Sequence, residues 1–122
     1  MNYPLWRRIH LISSGLIAII SIAHLGLTFG IYHGWTPDAV WFFGAGLGLM
    51  LIAVSNLAHI GVEPCRQPTT RLIRLANSVY AGFGLATLIA VPEPQAFVLV
   101  ALLWVQAIAS HKTLPGPVAS ES

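Results

Sequence analysis

The chain has 122 residues, 56% of them hydrophobic and 8% charged, with a mean hydropathy of +0.75 and a formal net charge of +2. A soluble domain carries about 25% charged residues, so this chain cannot cover the surface of a water-soluble globule, and its high apolar content excludes intrinsic disorder. A single cysteine, Cys65, excludes a disulfide framework, and six basic residues spread along the chain make no phosphate-binding stripe.

What remains is an all-α integral membrane protein. A spanning helix needs ~20 mostly apolar residues, and four segments qualify, at about 9–32, 39–60, 75–91 and 96–110. The first follows the basic pair Arg7 and Arg8, as a signal peptide would. Its apolar run is far longer than a signal core and ends in no A-x-A-like site, so it reads as a retained helix. Gly34–Trp35–Thr36–Pro37–Asp38 then breaks the chain, with Thr36 placed to cap the second helix and Pro37 at its first position. The stretch from Gly61 to Thr70 is the longest polar connection. The third and fourth helices look short, so they are expected to stand nearly upright or to thin the bilayer locally. Pro92–Glu93–Pro94 turns between them. Pro115–Gly116–Pro117 ends the last helix, and 118–122 is expected to be a frayed tail. Four crossings use nearly the whole chain, giving one transmembrane domain over 1–122 with no soluble appendage.

Charge sets the orientation. With four crossings, Arg7, Arg8, Arg66, Arg71, Arg74 and Lys112 fall on the side of the amino terminus, and the opposite loops carry only Asp38 and Glu93. The excess of basic residues on cytoplasmic loops then places both termini in the cytoplasm, as for a multi-pass protein of a bacterial inner membrane. Trp6, Trp35, Trp41, Tyr3 and Tyr32 sit near helix ends, where aromatic belts belong, whereas Trp104 lies deeper.

Each helix has one polar side. In the first, His10, Ser14, Ser21, His24 and Thr28 share a face at helical spacing. The second offers Gly48, Ile52, Ser55 and His59 with Asn56 beside them, the third Asn77, Tyr80, Gly84 and Thr87, and the fourth Gln106 and Ser110. Polar groups face lipid only at a cost. A four-helix bundle with Ser14, Ser21, Thr28, Ser55, Asn56, Asn77, Tyr80 and Gln106 turned inward follows, held by interhelical hydrogen bonds or enclosing a polar cavity. His24, nearest the middle of its helix, is expected to be uncharged and hydrogen-bonded to Thr28, Ser21 or a neighbouring helix.

Five histidines also admit haem b. His10 and His24 lie 14 residues apart on one face, ~21 Å along the axis at 1.5 Å per residue. A haem needs an axial partner on another helix. His59 could face His10, whereas His24 has only His33, in a loop. No His or Cys spacing of a metal site is present. No Asp or Glu lies inside a helix, which removes a Ser/His/Asp hydrolase and a carboxylate-coupled proton transporter. Cys65 reads as an inert loop thiol. Small residues repeat at Gly44 and Gly48 and at Ser78, Gly82 and Ala86. Such patterns let helices approach closely, within the monomer, in a homodimer or against a larger membrane complex.

Arg8–Ile9–His10, His24 with Thr28, the run from Trp41 to Leu47 and Asn56–Leu57 resemble small uncharacterised four-helix inner-membrane proteins of bacteria. The resemblance covers roughly the first half of the chain. It implies topology and location, and no catalytic residue. Three functions are open from the sequence: an accessory subunit or binder of a small apolar or amphipathic molecule, a b-type haem electron-transfer protein using His10 and His59, or a small dimeric transporter.

Overall fold

The computed structural model describes residues 3–60 and 67–113. Cys65, Arg66, most of the Gly61–Thr70 connection, Pro115–Gly116–Pro117 and the 118–122 tail lie outside the described residues. The rest forms four α-helices, α1 Tyr3–Ile31, α2 Pro37–Ile60, α3 Gln67–Ala90 and α4 Pro94–Thr113. All four are long and apolar enough to cross a membrane.

The helix ends follow local chemistry. Gly34 takes a φ of 101°, a left-handed conformation that side chains oppose, and so reverses the chain after α1. The Ala39 amide donates to Thr36 Oγ1 at 3.2 Å, so Thr36 caps α2 as its sequence context predicts. Glu93 does the same for α4 through its main chain: the Ala96 amide donates to its carbonyl at 2.9 Å, with Pro94 opening the helix.

Two sequence expectations need correction. α3 and α4 are not short. They run 24 and 20 residues, and α3 begins eight residues before the expected start. The extra turns of α3 hold Arg71 and Arg74, which depress hydropathy without breaking a helix. The extra turn of α4 holds His111 and Lys112, which suit the negative end of the helix dipole.

α1 packs along α2 and α4, and α3 packs along α4, while α2 and α3 touch only sparsely. The order around the bundle is therefore α2–α1–α4–α3, with an incompletely closed seam between α2 and α3. Inside sit Ile17, Leu49, Ile52, Ala53 and Leu103 together with polar side chains; outside lie large aliphatic and aromatic ones, among them Ile12, Phe29, Leu51, Phe83 and Ile89. Among the described residues, Arg7, Arg8, Arg71, Arg74 and Lys112 all fall at the end where α1 begins, called here the basic end, with Asp38 and Glu93 at the other.

Candidate functional site

At the basic end a hydrogen-bonded circuit joins all four helices. His10 of α1 donates from Nε2 to Asn56 Oδ1 of α2 at 2.6 Å. Asn56 and Asn77 of α3 exchange two amide hydrogen bonds, each 2.9 Å. Gln106 of α4 donates to Asn77 Oδ1 at 3.1 Å. Thr113, also of α4, returns to His10 Nδ1 at 2.6 Å. His10, Asn56, Asn77, Gln106 and Thr113 are all buried.

The hydrogen assignments follow from Asn56. Its Nδ2 also donates to Ile52 O at 2.7 Å, so a flipped amide would set oxygen against oxygen. Asn56 thereby uses both donors and both acceptor directions. Since Asn56 Oδ1 can only accept, His10 Nε2 carries a proton. The Thr113 hydroxyl lies 2.6 Å from Nδ1 and also donates to Ala109 O at 2.8 Å, so beside a neutral imidazole its single proton is shared between these two acceptors. Three buried oxygens stand without a partner among the described residues: Ser14 Oγ, Thr70 Oγ1 and Gln106 Oε1.

Higher on α1, Ser21 is buried and donates to Gly46 O of α2 at 2.8 Å. Thr28, also buried, donates to the main-chain oxygen of His24 at 2.9 Å. The His24 ring does not have the hydrogen bond expected of it. Half-buried, it stacks on Phe42 with ring centroids 3.7 Å apart and planes 16° from parallel, and it has no hydrogen-bond partner among the described residues. Ser55 is likewise outside the bundle interior: it is exposed and its hydroxyl returns to Leu51 O of its own helix. At 100° per residue, seating Asn56 in the core turns Ser55 away from it.

The α2–α3 seam has two hollow stretches divided by Tyr80. Towards the basic end, about 340 Å³ is lined by Leu51, Ile52, Leu72, Ile73 and Ala76, with Ser55, Asn56, His59 and Thr69 as its polar members. Towards the other end, about 500 Å³ is bounded by all four helices. Its wall is largely aliphatic and aromatic, including Leu49, Phe83, Leu99, Val100 and Leu103, and its polar members are His24, Tyr80 and Thr87. The Tyr80 hydroxyl rests against α2 where only Gly48 admits it; a Cβ at Gly48 would collide with that oxygen. No hydrogen-bond partner meets the hydroxyl among the described residues.

Haem ligation needs an available imidazole nitrogen. The obstacle is His10, whose two ring nitrogens are both engaged by Thr113 and Asn56; the His59 ring, with Nδ1 donating to Ser55 O at 2.7 Å, is held as a ligating histidine commonly is. As they stand, His10 and His59 do not fit a pair of axial ligands. Among the described residues no group of three His, Cys, Asp or Glu could hold a metal ion. The small-residue pairs separate in role. Gly48 takes Tyr80, while Gly44 and the Ser78, Gly82, Ala86 stripe are exposed on the outer surface. At the rim, Ser78 donates to Arg74 O at 2.9 Å and lies 3.4 Å from His111 Nε2.

The seam was not foreseen. Spacing marked Tyr80 and Gly48 as members of helix faces, but nothing in it indicates which helices are neighbours. No protein-family model, curated protein or solved structure matches this chain.

Proposed function

We propose that this chain is a multi-pass protein of a bacterial inner (plasma) membrane, with its basic end in the cytoplasm, that holds a small apolar or amphipathic molecule in the α2–α3 seam. The observation that carries this reading is the seam itself: three helix interfaces are packed, and the fourth leaves about 500 Å³ bounded by all four helices. That volume is within the 300–1,000 Å³ of ordinary ligand pockets. The membrane setting is supported by four apolar helices whose large side chains point outward around a polar interior. The orientation is supported by the gathering of basic residues at one end, and the bacterial assignment by the resemblance of Arg8–His10 and Trp41–Leu47.

The His10–Asn56–Asn77–Gln106–Thr113 circuit is the latch of this device. It ties α2 to α3 at the basic end and leaves the opposite half of the seam free to admit a guest. An accessory role in a larger complex is compatible with this, since Ser78, Gly82 and Ala86 present a small-residue surface on the outside of α3.

The test is extraction. Protein purified in mild detergent should release a lipophilic molecule in stoichiometric amount, and Ala45→Trp, which fills the larger hollow, should release none. Equal release from both proteins would count against the seam as the binding place.

A further inference from the structure

The larger hollow of the seam combines two properties that narrow its guest. It has no formally charged side chain in its wall, and two of its lining residues, Tyr80 and His24, carry polar groups that lack hydrogen-bond partners among the described residues. We propose that it binds a neutral lipophile bearing a carbonyl acceptor, of the isoprenoid-quinone type, with a carbonyl oxygen accepting from the Tyr80 hydroxyl and the head group lying beside His24. This rests on the reading of the seam as a binding place and adds the chemistry of the guest.

Charge decides against an ionic head group. A carboxylate or phosphate in this wall would lose its hydration and meet no cation, which is the costliest way to bury a polar group. Satisfaction decides against a plain hydrocarbon. An alkyl chain would leave two donors, the Tyr80 hydroxyl and the protonated His24 nitrogen, unpaired within the apolar interior, where water cannot substitute. A carbonyl on an apolar body answers both conditions. The third polar member, Thr87, makes no demand, because its hydroxyl already donates to Phe83 O at 3.1 Å.

The seam also accommodates a tail. On the other side of Tyr80 lies the second hollow, about 340 Å³ between the apolar side chains Leu51, Ile52, Leu72, Ile73 and Ala76. A chain would reach it by crossing the outer edge of Tyr80, with its head in the larger hollow. Tyr80 stands where head and tail would join, held against α2 by the absence of a side chain at Gly48.

Calorimetric titration of decylubiquinone into the protein in lipid nanodiscs tests this, with oleate as the charged amphiphile of comparable apolar length. Saturable binding of decylubiquinone and none of oleate is expected. Loss of one neutral hydrogen bond predicts that Tyr80→Phe weakens binding about 2- to 12-fold. His24→Phe keeps the ring against Phe42 and should also weaken binding. Ala45→Phe should abolish it with helicity unchanged, and should that variant not fold, Ala96→Phe fills the same hollow from α4. Binding of oleate in place of decylubiquinone would overturn the neutral-guest assignment and leave the seam standing. Binding of neither would overturn both. Wild-type affinity in both Tyr80→Phe and His24→Phe would overturn the assignment of the two polar anchors.

Discussion

Replacing Asn77 by leucine is the sharpest perturbation of the latch. Asn77 takes part in three hydrogen bonds, two with Asn56 and one from Gln106, and it is almost wholly buried. Interhelical hydrogen bonds in membrane proteins contribute about 0.6 kcal/mol each, so their direct loss amounts to about 2 kcal/mol. The larger consequence falls on Gln106. Its Oε1 is already unpaired, and without Asn77 its Nε2 has no acceptor either. A buried group left unsatisfied costs a further ~1–3 kcal/mol. Asn77→Leu should therefore destabilise by about 3–5 kcal/mol, measured by circular dichroism during SDS-induced unfolding in mixed micelles. Adding Gln106→Leu removes the stranded amide, so the double variant should be more stable than Asn77→Leu alone. A loss below about 0.5 kcal/mol for the single variant, or purely additive losses in the double one, would refute the circuit as a connected network.

Other expectations follow from the same geometry. His24→Leu should retain near-native stability in the same unfolding assay, since the ring makes no hydrogen bond among the described residues; a loss of 2 kcal/mol or more would reveal a missed partner. Gly46→Val should loosen the α1–α2 interface, because an added Cβ meets Leu25 Cδ2 at 3.0 Å and His24 Cβ at 3.3 Å, and the unfolding midpoint should fall. Reporter fusions should be active as cytoplasmic reporters after Ser122 and as periplasmic reporters after Gly34; the reverse pattern would contradict the orientation. A reduced-minus-oxidised spectrum of the purified protein should lack sharp haem bands, because both His10 nitrogens are committed, and their presence would show that the latch opens to take iron.

Periodicity pointed to His10, Ser14, Ser21 and Thr28 on the buried side of α1, since polar groups face lipid only at a cost, but it passed over Ser13, which is buried beside them and donates to His10 O. Thr36 and Pro37 marked the start of α2 because capping is a local interaction. The ends of α3 and α4 were obscured for the opposite reason. Arg71, Arg74, His111 and Lys112 lower the hydropathy of turns that are nonetheless helical. Ending α4 at Ser110 hid Thr113, and with it the second partner of His10. Pairings such as Asn56 with Asn77 depend on which helices are adjacent, and spacing within one helix carries no such information. The seam was hidden for the same reason, being a property of how α2 and α3 fail to meet rather than of either helix alone.

The account turns on a guest lodged in the α2–α3 seam, and nuclear magnetic resonance in bicelles of perdeuterated lipid tests that most directly. With decylubiquinone added, intermolecular Overhauser contacts should appear on the methyl groups of Leu49, Leu99, Val100 and Leu103, which line the larger hollow, and not on Ile12 or Ile19 of the outer face of α1. Contacts of equal strength on both sets of methyls would mean that the molecule merely dissolves around the bundle, and would contradict the seam as a binding site.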